Sequence, residues 1–119
     1  MKYLFLLHRP DDDLPEPGSA ESNRLYAEYG SAMDAMAAAG VLIDSAPLTA
    51  SSSATTLRIR DDKIVLTDGP AAELREQIGG FTLVECADLD EALKWAATLP
   101  AARDGSVEVR SVLDTGRTR

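Results

Sequence analysis

Apolar residues occupy both parities of the first segment, Tyr3, Phe5 and Leu7 alternating with Leu4 and Leu6 between Lys2 and His8. A strand apolar on both faces belongs in the middle of a sheet that is covered on two sides. Pro10 lacks the amide a central strand needs, so the strand stops there. Residues 10–19 (PDDDLPEPGS) read as loop, with prolines, a glycine and a run of acids. From Ser19, with Ser22 as an alternative cap, the pattern turns helical. Leu25, Tyr29, Met33 and Met36 recur at spacings of four, four and three, with Tyr26 and Ala37 beside them. Gly40 is placed to end the helix in a left-handed conformation. Gly30, inside it, costs about 1 kcal/mol relative to Ala and is expected to admit a neighbouring backbone closely.

Val41 to Leu48 reads as a second strand, followed by a serine-rich connection at 50–54. Thr55 to Arg60 and Lys63 to Thr67 form a hairpin, with Leu57 and Ile59 alternating with Arg58 and Arg60 and Asp61-Asp62 supplying the turn. Asp68-Gly69-Pro70 breaks the pattern, and a short helical or irregular piece at 71–77 leads to Gly79-Gly80. Phe81 to Cys86 is the next strand. Asp88 and Glu91 form a capping-box signature for a helix that runs to about Leu99, with Leu89, Ala92, Leu93 and Ala96 predicted inward and Pro100 as the stop. Ser106 to Val112 is the last strand. The domain is expected to span 1–113, and the polar residues 114–119 to be a frayed C-terminal tail.

The order is β-α-β, a hairpin insertion, then β-α-β. It predicts an α+β fold of the ferredoxin-like βαββαβ kind: an antiparallel sheet with two helices on one face. Two helices cover one side only, yet the first strand is apolar on both. A second copy packed on the open face, giving a homodimer of the dimeric α/β-barrel type, resolves the mismatch.

Charge narrows the partners. Twenty Asp and Glu against twelve Lys and Arg give −8 at neutral pH, so nucleic acid and anionic membrane surfaces are repelled. Residues 11–44 hold Asp11, Asp12, Asp13, Glu16, Glu21, Glu28, Asp34 and Asp44 against the single base Arg24. That stretch is a solvated surface or a docking patch for a basic protein partner. Cys86 is the one cysteine and cannot form an intramolecular disulfide. It reads as a small buried hydrophobe, since no basic neighbour would lower its pKa. The apolar run at the start is too short to span a membrane, and a cytoplasmic location is expected.

The candidates for chemistry are few. His8, the sole histidine, ends the central strand and is a natural acid/base group if it overlooks a pocket. Its bland alternative is a strand-end residue bonded to the acidic loop. Asp68 either starts a turn or orients His8. Arg110 and Glu108 point away from Val107 and Val109, so Arg110 either anchors a carboxylate or phosphate or pairs with Glu108 within the sheet. Gly79 and Gly80 would let a ligand or backbone approach closely, without any phosphate-cradling motif. Tyr26 and Tyr29 are core residues or ligand contacts. Glu73 and Glu76 read as a solvated face. No cofactor or metal signature is present.

The segments MKYLFLL, AAGVLIDSAPL (38–48), DDKIVLTDGP (61–70) and EQIGGFTLVECADLDEALKWAATLPAARDGSVEVRSV (76–112) together resemble the YCII-related proteins, in particular the subgroup with a DGPF motif. Ala71 stands where that motif has Phe. The resemblance implies a ferredoxin-like, dimeric α/β-barrel fold, and a suspected His–Asp pair for which His8 and Asp68 are the candidates here. It also implies either a cofactor-free small-molecule enzyme with its pocket at the dimer cleft, or a non-catalytic ligand-sensing or protein-binding module in sigma-factor regulation.

Overall fold

The computed structural model describes residues 1–11 and 14–117. Asp12 and Asp13 of the acidic stretch, and the end of the predicted tail, lie outside the described residues. Four strands form one antiparallel sheet: β1 (Lys2–Arg9), β2 (Leu42–Pro47), β5 (Gln77–Glu85) and β6 (Ser106–Ser111), in the order β2-β5-β1-β6. With helix α1 (Ala20–Ala38) between β1 and β2, and α2 (Leu89–Ala96) and the short α3 (Ala101–Asp104) between β5 and β6, this is the ferredoxin-like arrangement. Strands β3 (Thr55–Arg60) and β4 (Lys63–Asp68) pair only with each other, as a separate two-stranded ribbon.

Local chemistry explains the elements. The Ser19 side chain accepts from the Ser22 amide at 3.1 Å to start α1, and Gly40 takes a φ of +76° just past its end. Asp88 accepts from the Glu91 amide at 2.9 Å while Glu91 reaches back to the Ala87 amide at 3.0 Å, the reciprocal capping expected. Asp61 and Asp62 both have positive φ, 51° and 62°, which gives the hairpin turn the twist its strands require.

The alternation of β1 decides the core. Tyr3, Phe5 and Leu7 are buried on the helix side, against Ala32 and Met36 of α1, Ala92 and Ala96 of α2, and Leu99 and Ala101. Leu4, Leu6 and His8 lie on the opposite face and are only partly buried. All three helices cover one face, so the other is a single exposed layer.

Residues 71–76 are irregular, one of the two forms expected; their carbonyls at Ala72 and Leu74 accept from the buried Gln77 side chain, each at 3.1 Å. Several expectations need correction. β5 starts at Gln77 rather than Phe81: Gln77 and Ile78 pair with Arg9 and His8 of β1, Gly80 pairs with Leu7 of β1 and Pro47 of β2, and Gly79 is the extra residue of a bulge opposite the Leu7–His8 step. Leu89 and Leu93 are exposed, and the inward stripe of α2 is Ala92, Trp95 and Ala96, continued by Leu99. Pro100 does not end the helical region. With φ −54° it precedes α3, where its fixed φ and missing amide are tolerated. Gly30 admits no backbone: a Cβ built there meets nothing within 4 Å.

Candidate functional site

The end of β1 places two basic side chains on opposite sides of the sheet. His8 follows Leu4 and Leu6 onto the open face. Cross-strand pairing sets Leu4 opposite Arg110, Leu6 opposite Glu108 and His8 opposite Ser106, so one face of β6 meets one face of β1. There His8 Nε2 lies 3.3 Å from Glu108 Oε1, and Arg110 Nε donates to Glu108 Oε2 at 2.8 Å. The Glu108 carboxyl is held below its usual range, first by the hydrogen bond from Arg110 and further by that residue's charge and by His8, against a desolvation effect that raises it. A carboxylate paired to an imidazole is the arrangement of a general base with its orienting group. Here Glu108, not Asp68, stands in that place.

Asp68 is elsewhere. It ends β4 in the ribbon, exposed, and no hydrogen bond or ion pair among the described residues joins it to His8. Gly69, with φ +102°, donates to the Ala54 carbonyl at 2.7 Å and accepts from Thr56 Oγ1 at 2.8 Å. The Asp68-Gly69-Pro70 segment thus fastens the base of the ribbon, in keeping with its reading as turn chemistry.

Arg9, one residue after His8, points to the helix side. There a mainly apolar cavity of about 260 Å³ opens between α1 and the sheet. Leu25, Tyr26, Tyr29, Gly30 and Met33 of α1 form one wall. Leu7, Gly79 and Gly80 form the floor, and the end of β2 with residues 48–50 forms the far side. Asp11 and Leu14 close the mouth, and the Ser51 hydroxyl hydrogen-bonds to the Asp11 carboxylate, tying the acidic loop to the connection after β2. Gly80 allows close packing: a Cβ there would stand 3.0 Å from the Ala46 carbonyl oxygen and 3.4 Å from Pro47 Cα, tight contacts that the neighbours would have to relieve by a small shift. The three predicted ligand contacts Tyr26, Gly79 and Gly80 therefore meet in this cavity, while His8 and Arg110 lie across the sheet from it.

Two lining groups carry the polarity. The Tyr29 phenol has its pKa raised, chiefly by burial, although the Arg9 charge and a hydrogen bond with the Ala101 backbone pull it down. The Arg9 side chain is 11% exposed, and its one ion pair among the described residues, to Asp104, spans 3.8 Å. Its Nε is buried without a hydrogen-bond partner. Arg9 was missed in the sequence because it precedes a proline and a run of acids, a context that reads as strand end and solvent. Among the described residues, no group of three or more His, Cys, Asp or Glu is placed to hold a metal ion.

The YCII-related domain family matches residues 1–115. A Rhizobium meliloti (strain 1021) protein named "Uncharacterized protein R00369" is 35% identical over 112 residues, covering 92% of this chain and 90% of that one. Among solved structures, the chain is similar to 5-chloro-2-hydroxyhydroquinone dehydrochlorinase (TftG) of Burkholderia phenoliruptrix AC1100, in complex with 2,5-dihydroxybenzoquinone. That match has 18% identity, covers 95% and 94% of the two chains, and has a TM-score of 0.49.

Proposed function

The chain belongs to the YCII-related domain family, and on that premise we propose that it binds a small, mainly apolar molecule in the cavity beneath α1, as a subunit of a homodimer. The cavity carries this reading. It is concave, largely apolar and lined by a few placed polar groups, the usual make-up of a small-molecule site. At roughly 30 Å³ per water, its 260 Å³ suits a ligand on the order of ten non-hydrogen atoms.

Dimerisation rests on two exposed apolar surfaces. Leu4, Leu6, Phe81 and Leu83 share the uncovered sheet face. On the ribbon, Leu57 opposes Leu66 and Ile59 opposes Ile64, and all four are more than half exposed. An isolated two-stranded ribbon is marginal in water, and contiguous apolar surface of this kind marks an interface. In such a dimer the His8–Glu108–Arg110 cluster borders the contact, whereas the ligand cavity stays within each subunit.

The test is amide chemical-shift mapping with benzoate, benzamide and indole at millimolar concentration. Perturbation centred on Gly30, Gly79 and Gly80 is expected. Shifts confined to Leu6, His8 and Arg110 would move the site to the open face, and no shift from any probe would remove the pocket reading.

A further inference from the structure

We propose that the cavity beneath α1 selects monoanionic ligands, small ring or branched-chain acids, with Arg9 as the anion-binding residue. This rests on the pocket reading above and narrows it to a chemical class.

The inference starts from an unmet charge. A guanidinium carries five donors and stays ionised in proteins. Burying it is costly unless a counter-charge and hydrogen bonds replace water. The Arg9 side chain is 11% exposed, yet among the described residues its nearest carboxylate oxygen, on Asp104, is 3.8 Å away, beyond hydrogen-bonding distance. No side-chain hydrogen bond of Arg9 is present among the described residues, and its Nε is orphaned. Two other arginines differ: Arg103 pairs with Glu28, and Arg110 with Glu108 at 2.8 Å, both largely exposed. Among the described residues, the buried side-chain polar atom without a hydrogen-bond partner is Arg9 Nε, and Arg9 lines the apolar cavity beneath α1.

The rest of the lining fits the same ligand. Gly79 places no side chain over the Arg9 stem; a Cβ there would come within 3.9 Å of Arg9 Cγ. Tyr29, beside Arg9, is a neutral phenol at neutral pH, its pKa raised further by burial, so it can donate its O–H to an anion without adding negative charge. Asp11, the other charged lining residue, sits at the mouth and is engaged by Ser51. An anion oriented with its carboxylate toward Arg9 would leave its apolar body against Leu25 and Met33. A guanidinium–carboxylate pair is the strong form of hydrogen bond, with geometric selectivity.

Benzoate and benzamide share a shape and differ in charge, so their ratio reads the claim. Calorimetric titration of the full chain is expected to show benzoate binding at least tenfold tighter than benzamide, the range a charge-assisted hydrogen bond supplies. Arg9→Met, which keeps the apolar stem, should reduce that ratio to near one while benzamide affinity changes little. Asp104→Asn, which removes the distant competing carboxylate and leaves Arg9 in place, should tighten benzoate severalfold. Should Arg9→Met fail to fold, the Asp104→Asn result and the wild-type ratio decide alone. Equal affinities for the two probes in the wild type would overturn anion selection while leaving the pocket reading intact. Binding of neither probe would overturn both.

Discussion

Cys86 shows how environment sets the chemistry of a single residue. It is 3% exposed, and burial pushes its thiol pKa up to about 11, with Glu91 raising it further by hydrogen bond and charge. Thiolate is the reactive form. Against the ordinary value of 9.0, the native thiolate fraction at pH 8 falls about 100-fold. Iodoacetamide should therefore label native Cys86 at least 100-fold more slowly than the same residue in urea. Because the pKa is raised on folding, the unfolded chain releases this proton first as pH rises. The residue's stabilising contribution is therefore whole below about pH 9 and is lost as pH rises toward about 11. Urea melts at pH 8, 9.5 and 11 should show that decline, reduced in Cys86→Ala. The buried thiol was legible from the absence of basic neighbours and its place between strand and helix. Arg9 was not, because its burial depends on α1 and α3 folding over the strand end.

At the scale of elements, the join between α3 and β1 is tighter than its sequence suggests. Gly105 ends α3, and a Cβ added there would fall 2.0 Å from the His8 carbonyl oxygen and 2.9 Å from Arg9 Cα. Its φ of −152° lies outside the left-handed region, and the close approach to β1 is what demands glycine. Gly105→Ala must displace the His8–Arg9 backbone, and overpacking of this kind costs about 3 kcal/mol. Thermal unfolding should show the loss, and probe binding in the cavity should weaken because Arg9 moves. Capping residues and alternation made β1, α1, the hairpin and the start of α2 readable in advance. The phase of α2 was not: Leu89 and Leu93 are its most apolar residues, but the sheet accepts the small Ala92 and Ala96 face with Trp95. Likewise β5 was read too short, since Gly79 and Gly80 carry no strand signal, Gly80 being held by partners on both sides and Gly79 taken up in a bulge.

The whole molecule is more open than its length calls for. Its radius of gyration is 16.1 Å and its dimensions are 48 × 44 × 19 Å, against about 13.5 Å for a compact chain of this size. The thin axis fits one sheet with helices on one side only, and the extended axes fit a ribbon that leaves the body. Both features expose the apolar side chains that would meet in a homodimer. Sedimentation equilibrium at micromolar concentration should give twice the chain mass, and the double variant Leu57→Lys/Ile64→Lys should shift it toward monomer at least tenfold in dissociation constant. A wild-type monomer across that range would leave the open face without a partner. The surplus of apolar positions on β1 foretold the open face, but the cavity was beyond the sequence. Its walls come from α1, the end of β2, β5 and the loop after β1, brought together only by the crossover of the fold.

The central claim is that ligands enter the space between α1 and the sheet, and Gly30 allows it to be tested without damaging the fold. Gly30 lines that space, and a Cβ added there meets nothing within 4 Å. Leucine also favours the helix over glycine by about 0.7 kcal/mol. Titrating benzoate, benzamide and indole into Gly30→Leu should show affinity for each reduced at least tenfold, with a melting temperature equal to or above wild type. Undiminished binding in that equally stable variant would contradict the account.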